Sequence, residues 1–139
     1  MAEQATEQKK EPVIYAPGAR TLHDILTDLR KPIAQQHLKN KKAGSSTVTY
    51  IPWYNAIKYL DYFAPGWSYR IASVSHVGQN CVVVAEISIP TSDGVITRQA
   101  TGVEGDDKSG FGDPASNAES MALRRAAAKF GLGLYMYEK

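Results

Sequence analysis

The chain has 139 residues, 43% of them hydrophobic, which suffices for one ordinary core and is too short for two. Its 16 Lys and Arg stand against 14 Asp and Glu, a formal net charge of +2, which excludes the uniform basicity of a histone-like protein. An anion site must therefore come from local segregation of charge.

Residues 1–19 are polar, lack periodicity and contain Pro12, Pro17 and Gly18, so they read as a flexible tail ahead of one domain over 20–139. Glu3, Glu7 and Glu11 are mixed with Lys9 and Lys10, unlike an Arg-rich transit peptide. Thr21 followed by Asp24 predicts a helix start, and Leu22, Ile25, Leu26 and Leu29 recur at helical spacing. Pro32 breaks that helix or opens another through Ile33 and Leu38. Asn40 to Thr47 reads as a polar loop before a short strand, Val48-Thr49-Tyr50-Ile51. Pro52 suits the first turn of a helix whose apolar stripe is Trp53, Ala56, Ile57, Leu60 and Phe63, and Ala64-Pro65-Gly66 stops it.

A three-stranded meander follows, with strands near Trp67 to Val77, Cys81 to Ile89 and Val95 to Val103. Gly78-Gln79-Asn80 and Ser92-Asp93-Gly94 are its turns. In the second strand Cys81, Val83, Ala85, Ile87 and Ile89 alternate onto one face, so the single cysteine reads as a small buried hydrophobe in a reducing compartment. Ser116 and Glu119 predict a capping box opening a last helix, which runs to Phe130 and stops at a left-handed Gly131. The expected fold is α+β: a three-stranded antiparallel β-meander plus a short strand, packed against helices with a β-β-β-α core.

Charge is segregated along this order. Residues 20–42 carry Arg20, Arg30, Lys31, Lys39, Lys41 and Lys42 against Asp24 and Asp28, while 104–113 carry Glu104, Asp106, Asp107 and Asp113 against Lys108. Each run taken alone is also what a solvated loop or helix face looks like. On the last helix, 100° spacing puts Ala122, Leu123, Ala126, Ala127 and Phe130 on one face. Arg124, Arg125 and Lys129 fall on the other, around Ala128. Long cations flanking a small residue suit a phosphate backbone, and an ordinary solvated face is the alternative.

The run from Ser116 to Gly133, with Leu123-Arg124-Arg125-Ala126 and then Phe130-Gly131, resembles the core helix of the Rad fifty-two superfamily of single-strand annealing proteins, with its phage and bacterial Sak-like and DdrA-like members. Tyr50-Ile51, the helix ending at Gly66-Trp67 and the Asp93-Gly94 turn fit in order, so the resemblance covers about residues 21–137. It implies a ring or arc of subunits that binds single-stranded DNA in a basic groove and anneals complementary strands without ATP, in recombination or repair. It carries a backbone-contacting role to Arg124 and Arg125. The family's next cation falls on Ala128, with Lys129 about 100° away, and Lys58 is the nearest cation to another family position after Tyr50. Tyr54 and Trp53 are stacking candidates, Trp53 also fitting the apolar stripe. Trp67, Phe63 and Phe130 read as core, and Tyr135 and Tyr137 as a final strand or a subunit contact.

The expected DNA-binding set is thus Arg124, Arg125, Lys129, Lys58 and Tyr54, with no catalytic residue, metal or cofactor. The expected partners are single-stranded DNA and further copies of the chain, without a membrane. The expected location is cytoplasmic, at a nucleoid or in a phage-infected cell. Other readings are DNA end protection without annealing, or a Mg-dependent nuclease built on the 104–113 acidic loop. Gly110-Phe111-Gly112-Asp113-Pro114-Ala115 matches a dinucleotide fingerprint, but a carboxylate at Asp113 and an antiparallel meander argue against it. There is no Walker A sequence, and His23, His37 and His76 lack ligand spacing.

Overall fold

The computed structural model describes residues 13–105 and 113–138. Helix α1 (Leu22–Leu29) starts as expected: the Thr21 hydroxyl accepts the Asp24 N–H at 3.1 Å, and Ile25 and Leu29 are buried. After Pro32 comes no second α-helix, only a 3-10 turn at Gln35–His37, since Ile33 and Leu38 reach the core and the residues between them bury no apolar face. Of the expected tail, residues 1–12 lie outside the described residues. Nearer the domain, Tyr15 meets Tyr62 edge-on at 5.8 Å and lies 3.8 Å beneath the Arg20 guanidinium. Arg20 also donates to the Phe63 carbonyl at 2.9 Å and to Asp28 at 2.5 Å, tying the chain entry to two helices.

The stretch expected as a loop is half of a hairpin. Strand β1 (Lys39–Ala43) pairs antiparallel with β2 (Ser46–Tyr50) in the register Lys39 to Tyr50 and Lys41 to Val48. Gly44, at φ +66°, and Ser45 close the turn. Helix α2 (Trp53–Phe63) then buries Ala56 and Leu60.

The meander forms as expected from β3 (Ser68–Val77), β4 (Asn80–Thr91) and β5 (Gly94–Gly105), in the order β3-β4-β5, separate from the hairpin. All five alternating residues of β4 from Cys81 to Ile89 are buried, and Cys81 is a free thiol. Helix α3 (Pro114–Ala128) lies across β4 and β5. Its buried face, Ala118, Ala122, Leu123, Ala126 and Ala127, completes the core with α1, α2 and Phe130, which lies just past the helix end. The approach is close because β5 offers Gly102: a Cβ there would fall inside the Ala118 carbonyl oxygen and 2.7 Å from the Ala122 nitrogen.

The start of α3 differs from the capping-box expectation, and its end follows the expected one. The N-cap is Asp113, not Ser116: its carboxylate accepts the Ser116 N–H at 2.7 Å, and Pro114 takes the first helical position. Glu119 instead accepts the Tyr69 hydroxyl at 2.8 Å. At the other end Gly131 has φ +109°, and the Leu132 N–H returns to the Ala127 carbonyl, the expected left-handed stop. The chain then folds back as a 3-10 turn, Leu134–Tyr137, rather than a strand, held by the Ile33 N–H donating to the Tyr135 hydroxyl at 3.1 Å. No helix among the described residues is long and apolar enough to cross a membrane.

Candidate nucleic-acid interface

Three segments surround the exposed side of α3: the β1–β2 hairpin, the first turn of α2 and the return after Gly131. Between the hairpin, α2 and α3 lies a cleft of about 610 Å³, lined among others by Lys39, Lys41, Lys42, Trp53, Tyr54 and Arg124. The period of two in β1 puts Lys39 and Lys41 on one face, across from Tyr50. Lys41 Nζ is 5.8 Å from the Tyr50 ring centre, and Lys39 Nζ is 5.7 Å from that of Tyr54. The Tyr54 hydroxyl, as hydrogen-bond partner, pushes the Lys39 ammonium above its usual pKa. Glu104 is the one acidic residue lining this cleft among the described residues.

Arg124 is the hinge of the arrangement. Its guanidinium carbon lies 5.0 Å from the Tyr50 ring centre, and its Nε donates to the Ser120 carbonyl at 3.3 Å. Burial pushes its pKa below the usual arginine value; Tyr137 and Tyr50 oppose that shift and neighbouring Arg125 adds to it. Arginine nevertheless keeps its charge at any ordinary pH. Among the described residues no carboxylate pairs with Arg124. A half-buried cation seated on an aromatic face, with no internal anion, is a site that gains from an anion out of solution.

Arg125 turns the other way, donating to the Thr101 carbonyl at 3.0 Å. It shares with Arg124 a smaller cleft of about 260 Å³ that also holds Lys41, Tyr50 and Tyr137. It shares with Lys129 a third, of about 540 Å³, beside Leu134 and Tyr137. Ala128, expected on the surface between these cations, is buried at 4% exposure, because the return after Gly131 brings Leu134 and Tyr137 alongside it. Of the expected set, Arg124 and Tyr54 therefore meet in the hairpin cleft, Arg125 bridges to the far side, and Lys129 lies there. Lys58 is exposed on α2 and lines none of the three clefts.

Asp113, common to the dinucleotide and nuclease readings, has a structural role. Asp113 is the cap of α3, and the hydrogen bonds from Ser116 hold its carboxyl below the usual range. Among the described residues no group of His, Cys, Asp and Glu could hold a metal ion; Asp106, Asp107 and the Gly110 to Gly112 run lie outside them. His37 contacts the Tyr59 hydroxyl at 2.8 Å. The antiparallel register of β4 and β5 excludes a βαβ dinucleotide unit at the start of α3.

The sequence pattern of the Rad52/22 family double-strand break repair protein matches residues 21–139, which include the hairpin, both walls of the cleft and all of α3. The chain belongs to this family. Its place in a Rad52/22 family puts it in DNA repair and recombination, among proteins that bind DNA. It is 33% identical over 123 residues to "DNA repair RAD52-like protein 1, mitochondrial" of Arabidopsis thaliana, covering 87% of this chain and 70% of that protein. It is 38% identical over 125 residues to "DNA repair RAD52-like protein 2, chloroplastic" of the same plant, covering 86% of this chain and 62% of that one.

Sequence reasoning missed four residues that this Rad52/22 member brings into the cleft: Lys39, Lys41, Lys42 and Tyr50. The excess of cations over 20–42 was the available signal, but without a strand there was no reason to aim them at α3. Trp53 fits the apolar stripe of α2 by spacing, yet it is 46% exposed at the mouth of the cleft, because the first helical turn projects beyond the core that Ala56 and Leu60 reach.

Proposed function

We propose that this chain binds single-stranded DNA in the cleft between the hairpin and α3, and that it anneals complementary strands without ATP as a homo-oligomer. The observation that carries the reading is Arg124, a half-buried cation on the Tyr50 ring with no carboxylate partner among the described residues, facing a cleft that also holds three lysines. A phosphate backbone supplies the missing anion, and a flexible single strand can follow a curved groove between a hairpin and a helix. The two plant relatives are DNA-repair proteins by name, in line with this role. The absence of a Walker A sequence favours a binding protein over an ATP-driven enzyme. Exposed Leu134, Tyr135 and Tyr137 offer apolar surface for a neighbouring copy, and the buried free thiol suits the reducing cytoplasm.

Binding measured against salt, beside annealing of complementary oligonucleotides with and without ATP, tests the proposal. The wild type accelerates annealing without nucleotide. Arg124→Ala with Arg125→Ala weakens binding to all sequences alike and lowers the salt slope by about 0.7 per lost phosphate contact. Replacement of both by Lys restores part of the affinity, because Lys keeps the charge and loses the planar fork. An unchanged salt slope overturns the site. Binding of ends with no annealing points to end protection instead.

A further inference from the structure

Three aromatic side chains line the hairpin cleft, and two are already engaged. Tyr50 carries the Arg124 guanidinium at 5.0 Å and the Lys41 ammonium at 5.8 Å. Tyr54 carries Lys39 at 5.7 Å. Trp53 has no cation over it among the described residues; its ring meets Tyr54 at 5.8 Å and an interplanar angle of 81°, edge against face. An indole 46% exposed at the first turn of a helix is costly to leave in water, since its area is large and nearly half of it stays uncovered. Tyr54, 40% exposed, holds the indole from one side, and the helix start after Pro52 holds its backbone. The result is a half-exposed aromatic ring, braced by Tyr54, at the rim of a cationic groove.

We infer that Trp53, braced by Tyr54, is a nucleobase subsite: one base of the bound strand stacks on the indole while the flanking phosphates lie against Lys39, Lys41 and Arg124. This rests on the proposed single-strand reading and adds to it, because a groove that used phosphates alone has no need of an exposed indole. Every base offers a π-face, so the subsite grips the strand without selecting sequence. It fixes the register of the strand relative to each subunit. A base held there is withheld from pairing until the incoming strand competes for it.

The test compares two oligonucleotides of equal length, oligo-dT and an abasic deoxyribose-phosphate strand, on the full chain and its variants. The wild type binds both, dT the tighter, and dT quenches a component of the tryptophan emission that is absent in Trp53→Ala. Trp53→Ala weakens dT binding by about 5- to 150-fold, the range that losing one base–aromatic stack corresponds to. It leaves abasic binding unchanged, and Trp53→Phe recovers part of the loss. If Trp53→Ala weakens both oligonucleotides equally, or neither, the subsite is wrong and the phosphate groove stands. A wild type that binds neither strand overturns the groove and the subsite together.

Discussion

Arg124 on α3 and Tyr50 at the end of β2 meet as cation on ring, 5.0 Å apart, across 74 positions of sequence. This contact joins a hairpin that has almost no core of its own to the helix that anchors the sheet. It also leaves the charge without an internal counter-ion among the described residues, so stability and binding make opposite demands on the same side chain.

Arg124→Met keeps the stem that packs beside Tyr50 and removes the unpaired charge. Replacing a buried charge by an apolar residue of similar volume is commonly neutral or stabilising. Thermal denaturation of the variant should match or exceed the wild type, while single-strand affinity falls at least tenfold. A loss of more than about 1 kcal/mol in stability would place Arg124 among structural residues.

Lys39, Lys41 and Lys42 line the cleft, and Lys58 does not. Reversal of Lys41 to Glu should weaken single-strand binding and flatten its salt dependence, with the hairpin intact because both faces of β1 are exposed. Lys58→Glu should lower affinity far less, through long-range repulsion that salt screens. Titrations at two ionic strengths compare the pair, and equal effects would remove the hairpin from the site.

Asp28 predicts an acid limb in the stability profile. Burial by itself raises its pKa, but hydrogen bonds and charge from Arg20 and Lys31 outweigh it and hold the carboxyl below the usual value. A depressed folded-state pKa means stability that is full above the unfolded value, near 4, and lost as pH falls through the folded one. Asp28→Asn should therefore be less stable at neutral pH by about 1 kcal/mol, more than an average exposed pair and less than a buried one, because the pair is only partly buried and Arg20 is left without its anion. The difference from wild type should shrink as the pH drops below 4. Denaturant melts at pH 7 and pH 3 measure it, and a gap that stays constant would assign the stability to another group.

A chain that works as a ring or arc should elute as a large assembly. Light scattering after gel filtration should give a mass many times 15.2 kDa, and Leu134→Lys together with Tyr137→Lys should reduce it if that exposed turn is covered by a neighbour. A monomeric wild type at micromolar concentration contradicts the assembly.

The meander was legible because β4 has one face in the core: the period of two from Cys81 to Ile89 is a direct imprint of burial. The hairpin was only half legible for the same reason. Lys39 to Ala43 touch no core, so no alternation marks them as a strand; they are held by the backbone ladder and by the Thr49 hydroxyl donating to Asn40 at 2.7 Å. At the start of α3 two cap signals overlap. Ser116 with Glu119 fits a capping box, yet Asp113-Pro114 offers an earlier carboxylate and a preset φ, and the longer helix wins. The cations of α3 could be placed on a face by spacing alone. That Arg124 finds Tyr50 and Arg125 finds Thr101 depends on contacts between distant segments, which periodicity does not carry.

Gly102 sets the height at which α3 rides above β5, since the helix backbone occupies the space a side chain would need. Both arginines hang from that helix, one on each flank, so their reach toward the two clefts is decided by a residue that touches neither. A single methyl at this position lifts the helix as a unit and mis-sets the two grips in the same stroke. In the proposed assembly such an error would recur at every copy, so the spacing of successive grips on a strand would be calibrated by the glycine of β5 that makes room for the helix backbone.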